Sequence, residues 1–153
     1  MLDQLQSVFA SFRKNDVKYL VIGGIAAVLY GVPRATFDLD ILIEPTKDNA
    51  QRLLDSLIEL GFGTASMTTA AEIIAKEITI FTDRIRLDVQ TSTPGIVFEE
   101  ARERCVTMSY KGQEFEVVSL VDLIASKRAA GRDVDLEDVR ILMTSGTNSN
   151  RED

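Results

Sequence analysis

The stretch KYLVIGGIAAVLYGVPRATFDLDILI, residues 18–43, changes its pattern several times within a short length. Residues 18–22 form an apolar run bounded by glycine, which predicts a buried strand. Gly23 and Gly24 follow, and a glycine pair permits backbone angles and close approaches that a Cβ would block. Ile25 to Tyr30 suits one short helix, closed by Gly31. Pro33 bends the chain, and RATFDLDILIE then alternates with the period of a strand. Phe37, Leu39, Ile41 and Ile43 are expected on one face, and Thr36, Asp38, Asp40 and Leu42 on the other.

Two chemical readings attach to this stretch. A glycine pair between a strand and a helix makes either a tight turn or a set of exposed N–H groups on which a phosphate can rest. Asp38 and Asp40 stand side by side on one strand face, where like charges repel unless a cation lies between them. Aspartate is depleted in strands, and two of them inside so apolar a strand favour a divalent-metal site over a solvated face.

The rest of the composition narrows the chemistry. The chain has 153 residues, 45% hydrophobic and 27% charged, which suits one globular domain. It contains no histidine, so imidazole-based zinc sites, Ser-His-Asp triads and histidine general bases are excluded. Its formal charge of −7 opposes an extended nucleic-acid track. The single cysteine, Cys105, cannot form an internal disulfide and fits a reducing compartment. With neither a signal-peptide pattern at the N-terminus nor a membrane-length apolar run, a cytoplasmic location is expected.

On either side of the central stretch the periodicity is regular. Residues 2–13 carry Leu2, Leu5, Val8, Phe9 and Phe12 at helical spacing. Thr46 caps a predicted helix over 47–60, stopped by Gly61 and Gly63. Residues 77–82 and 84–90 read as two strands joined at Asp83. In the second, Ile85, Leu87 and Val89 face the core, while Arg84, Arg86, Asp88 and Gln90 face away. Asp88 either pairs with Arg86 on a wet surface or adds a third arm to the Asp38–Asp40 pair. Residues 105–109 and 114–118 form a hairpin around Lys111–Gly112.

Ser119 opens a helix to about Ala130, with Leu120, Leu123, Ile124 and Lys127 on one stripe. Lys127 therefore either snorkels out at the helix C-terminus or points into an anionic site. A last helix runs from about Asp133 to Met143, with Leu136, Val139, Leu142 and Met143 expected inward. The domain is taken as 1–143, with a flexible tail at 144–153.

The order strand, Gly23–Gly24, helix, Asp38-Leu39-Asp40 and a later Leu87-Asp88-Val89 resembles the nucleotidyltransferase superfamily built on the palm-like core of DNA polymerase beta. The set Gly23, Gly24, Ala26, Gly31, Arg34, Thr36, Asp38 and Asp40, together with residues 119–142, is similar to a bacterial subgroup. That subgroup holds small stand-alone enzymes and the toxins of AbiE-type toxin–antitoxin pairs.

The resemblance implies an α+β fold with a mixed, mostly antiparallel sheet and helices packed on it. It implies two Mg²⁺ ions on Asp38, Asp40 and Asp88, with Asp88 helping to remove the acceptor proton. It also implies NTP phosphates on Gly23 and Gly24, a triphosphate contact from Lys127, and secondary contacts from Arg34 and Thr36. The expected reaction is transfer of a nucleoside monophosphate from an NTP such as ATP to an acceptor hydroxyl on a small molecule, a tRNA end or a protein. The alternatives are a non-catalytic nucleotide-binding or partner-regulating module of a toxin–antitoxin pair, and a purely structural cation site. A homodimer is compatible with so short a chain.

Overall fold

The computed structural model describes residues 2–152, with side chains for residues 3–144. Its elements are α1 (Leu2–Lys14), β1 (Tyr19–Ile22), α2 (Gly23–Leu29), β2 (Asp38–Ile43), α3 (Lys47–Glu59) and α4 (Ala70–Ala75), then β3 (Ile78–Thr82) and β4 (Arg86–Gln90). The chain continues through α5 (Phe98–Glu103), β5 (Val106–Tyr110), β6 (Gln113–Val117), α6 (Leu120–Ala130) and α7 (Asp133–Glu152). The strands form one sheet in the order β3-β4-β2-β1-β6-β5. Each sequential pair, β1–β2, β3–β4 and β5–β6, is antiparallel, and the seams β2–β4 and β1–β6 are parallel. This is the mixed α+β architecture expected from the sequence.

Helix α1 buries Leu5, Val8, Phe9 and Phe12; the Phe9 ring stacks on Tyr19 of β1 and Phe115 of β6, and Phe12 meets Tyr19 edge-on. Helix α3 packs beside α1, where Ser11 and Ser56 exchange side-chain hydrogen bonds with each other's carbonyls. The Thr46 side chain caps α3 by accepting from the Asn49 N–H. Asn49 is fully buried and ties the start of β1 to the end of β2, bonding both Lys18 backbone groups and the Glu44 carbonyl. These contacts set the relative position of the two central strands, and with it the position of Asp40. Among the described residues, no helix is long and apolar enough to cross a membrane.

Four local expectations need correction. Helix α2 begins at Gly23 itself, two residues earlier than predicted. Strand β2 begins at Asp38, so Phe37 precedes the ladder and is 78% exposed instead of joining the core. Leu42 shares the aspartates' face as expected and is buried there, because β1 and β2 are central strands of the sheet.

Helix α7 is rotated from the predicted orientation. Leu136 and Met143 are about half exposed, while Asp135, Asp138, Val139 and Leu142 form the inward stripe. It also runs to Glu152, past the end expected near Met143. The predicted tail falls mostly on residues whose side chains lie outside those described.

Candidate active site

The parallel seam between β2 and β4 builds the site in rows. Asp38 lies opposite Arg86, and Asp40 opposite Asp88. The antiparallel neighbour β3 extends both rows, with Thr82 beyond Arg86 and Ile80 beyond Asp88. Adjacent strands are about 4.8 Å apart, so Asp38, Asp40, Asp88 and Arg86 form the corners of one small patch. A cavity of about 590 Å³ opens over this patch, walled by the start of α2, by α6 and by α7.

Burial pushes the Asp40 carboxyl up to about 7, and the neighbouring Asp88 and Asp38 carboxylates add to the rise. Gly23 has φ of +69°, and a Cβ there would lie 2.5 Å from Asp40 Oδ2. Glycine is therefore required twice over, by the backbone angle and by the carboxylate pressed against it. Asp88 is not free: Arg86 Nε and Nη2 donate to its two oxygens at 2.9 and 3.3 Å. Among the described residues, no three acidic, cysteine or histidine side chains converge into a ready-made metal site. The donor set is nonetheless all carboxylate oxygen, suited to a hard divalent cation, and the crowding that raises Asp40 is of the kind a cation relieves. Asp38 and Asp40 would hold such an ion, with Asp88 joining once Arg86 gives way.

A family model described as "Nucleotidyltransferase of unknown function (DUF6036)" matches residues 2–145. The chain belongs to this family. Among solved structures it is similar to that of a candidate nucleotidyltransferase, TM1012, from Thermotoga maritima, with a TM-score of 0.61 and 16% identity. That likeness covers 94% of this chain and 92% of the other, and at this identity it shows the fold alone. No curated protein matches.

Within this nucleotidyltransferase fold the cavity brings together Gly23, Gly24, Arg34, Asp38, Asp40, Asp88 and Lys127, seven of the eight site residues expected from the sequence. Thr36 lies just outside. It lines an adjoining apolar groove, and its Oγ1 would be 3.0 Å from a Cβ on Gly24, so it backs the glycine turn.

Lys127 matches neither sequence alternative alone. It is 7% exposed, so it does not snorkel, and it reaches the cavity wall already paired, 2.9 Å from Asp138 and 3.6 Å from Asp135. Asp138 also receives Arg34, and Asp135 is clasped by Arg132. Burial works against charge on Asp135, but Arg132 and Lys127 together hold its carboxyl below the ordinary range.

Asp135, Asp138 and Arg132 are site residues that the sequence reading missed. Their signal was present as acids at i and i+3 followed by Val139 and Leu142 at i+4 and i+7 of the first, a stripe that runs from polar to apolar along one helix face. The cavity lining thus carries five carboxylates against four cationic side chains, close to neutral before any ligand binds.

Proposed function

We propose that the protein is a Mg²⁺-dependent nucleotidyltransferase that moves a nucleoside monophosphate from an NTP to an acceptor hydroxyl and releases pyrophosphate. The observation that carries this reading is the register that sets Asp40 beside Asp88, with Asp38 on the same strand face, in a cavity that Gly23, Gly24 and Lys127 also line. Divalent ions on such carboxylates polarise the phosphoryl oxygens and stabilise the attacking and leaving oxygens without any histidine. Gly23 and Gly24 supply backbone N–H groups to the β and γ phosphates. Lys127 and Arg34, both paired with Asp138, contribute positive charge to the same cavity. Among the described residues, the Arg34 Nε is a buried side-chain donor without a hydrogen-bond partner, while the same guanidinium pairs with Asp138. Asp88 orients the acceptor hydroxyl and takes up its proton.

Pyrophosphate release tests the reading. It is expected with Mg²⁺ and an NTP, ATP being the first to try, and is expected to vanish in Asp38→Ala and Asp40→Ala proteins of unchanged circular dichroism. Turnover that survives both substitutions excludes it.

A second reading rests on Arg86. Because this arginine holds both oxygens of Asp88, the chain also fits a non-catalytic nucleotide-binding or partner-regulating module, such as one member of a toxin–antitoxin pair. Magnesium-dependent NTP binding with no pyrophosphate release from any acceptor mixture would favour it.

A further inference from the structure

We infer that the acceptor is an uncharged alcohol or phenol whose carbon skeleton packs on Ile78 and Ile80 of β3, and not the end of a nucleic acid. This rests on the reaction proposed above and names its second substrate.

Displacement at a phosphorus centre is in line, so the attacking oxygen enters opposite the leaving pyrophosphate. The phosphate contacts Gly23, Gly24 and Lys127 lie on the α2 and α6 side of Asp38 and Asp40. The acceptor therefore comes over the other side, across β4 and the edge strand β3. The rows of the sheet show what it meets there. Asp40, Asp88 and Ile80 stand in one row, and Gln90 and Ile78 in the next.

Ile78 and Ile80 are 49% and 51% exposed, and Ile78 lines the cavity itself. Val134, on α7, also lines the cavity and is exposed. Strand β3, ITIFT, carries no charge. A phosphodiester chain needs Lys or Arg along its path, whereas two isoleucines beside Asp88 select an apolar body next to the hydroxyl.

The step balances within the site. The acceptor oxygen bonds to the α-phosphorus, and the bond from that phosphorus to the αβ-bridging oxygen breaks. Pyrophosphate leaves with the electron pair, and the acceptor proton passes to the Asp88 carboxylate.

The same chemistry comes from a free small molecule or from a side chain of a polypeptide, and the test separates them. The protein is incubated with Mg²⁺, the four NTPs labelled at the α-phosphate, and one of three probes: N-acetyltyrosinamide, a tyrosine-bearing peptide, or an oligoribonucleotide with a free 3′-hydroxyl. Label is expected on an uncharged probe. Preference for the free amide indicates a small-molecule acceptor, and preference for the peptide a polypeptide one. Ile80→Asn, which adds no charge beside Asp88, is expected to raise KM for that probe by about tenfold or more while calorimetric NTP binding stays unchanged. Ile80→Thr, which keeps β-propensity, is expected to show a smaller rise and guards against misfolding. Label on the oligoribonucleotide alone, an unchanged KM in both variants, or no labelled uncharged probe from a protein that binds Mg²⁺–NTP would each overturn the inference. Absence of Mg²⁺–NTP binding would instead overturn the reaction on which it rests.

Discussion

Arg86 and Asp88, two residues apart on β4, form a two-pronged ion pair, and Arg86 itself pairs across the ladder with Asp38 on the neighbouring strand. One cation thus occupies the corner of the patch that completes the acidic set. This explains how three acids can share a cavity without converging on a point.

Removing that cation frees Asp88. Arg86→Gln is expected to tighten Mg²⁺ or Mn²⁺ binding in the absence of nucleotide by roughly tenfold, the scale on which one adjacent charge acts. Calorimetric titration of the metal alone checks it. Weaker metal binding in the variant would mean that Arg86 organises the acids instead of competing for one.

Asp40 makes stability depend on pH. Its carboxyl is raised from 3.8 to about 7 by burial and by Asp88 and Asp38. The folded state therefore holds a proton that the unfolded state has lost between these values, and stability falls as pH rises across that window. Asp40→Asn removes the penalty. It is expected to stabilise the metal-free protein by on the order of a few kcal/mol at pH 8, with the gain fading to nothing near pH 4. Urea unfolding at both pH values measures it. Metal affinity in the wild type is expected to rise as pH increases towards 7 and to release protons on binding.

Gly23 has no tolerance for a side chain. Gly23→Ala places a methyl group 2.5 Å from Asp40 Oδ2 at a φ of +69°. The backbone conformation alone costs about 1–2 kcal/mol, and Asp40 must move as well. A lower melting temperature together with weakened metal binding is expected. A lower melting temperature with metal binding intact would show that the glycine serves the turn only.

Lys127 is shared by Asp135 and Asp138, both almost fully buried. Removing one partner of an isolated buried pair costs about 3–5 kcal/mol, but Asp138 keeps Arg34 and Asp135 keeps Arg132, so Lys127→Ala is expected to cost less than that and to lower the melting temperature by a few degrees. Adding Asp138→Asn is expected to return part of the loss. Thermal denaturation of the two single variants and the double variant measures the coupling, and strict additivity would show that the pair does not interact.

The strands and the acids were legible because period-two alternation states both where a strand lies and which side chains share its face. Leu39, Ile41, Leu87 and Val89 went inward as the pattern required, which put Asp38, Asp40 and Asp88 on the opposite faces. That two strands distant in the chain would pair in parallel, with Asp40 level with Asp88, is a tertiary fact that no local pattern carries. Phe37 failed because alternation does not tell where a ladder begins. Helix α7 failed because a search for apolar stripes passes over aspartates. Asp135 and Asp138 are stable inside only because Lys127, Arg34 and Arg132, from other turns of the chain, meet them there.

The most direct test of the nucleotidyltransferase reading is calorimetric titration of the protein with ATP, GTP, CTP and UTP, with and without Mg²⁺, in parallel with Asp38→Asn. The account predicts binding of at least one nucleotide that requires Mg²⁺ and is lost in the variant. Binding that ignores both Mg²⁺ and Asp38, or no binding of any nucleotide, would contradict it.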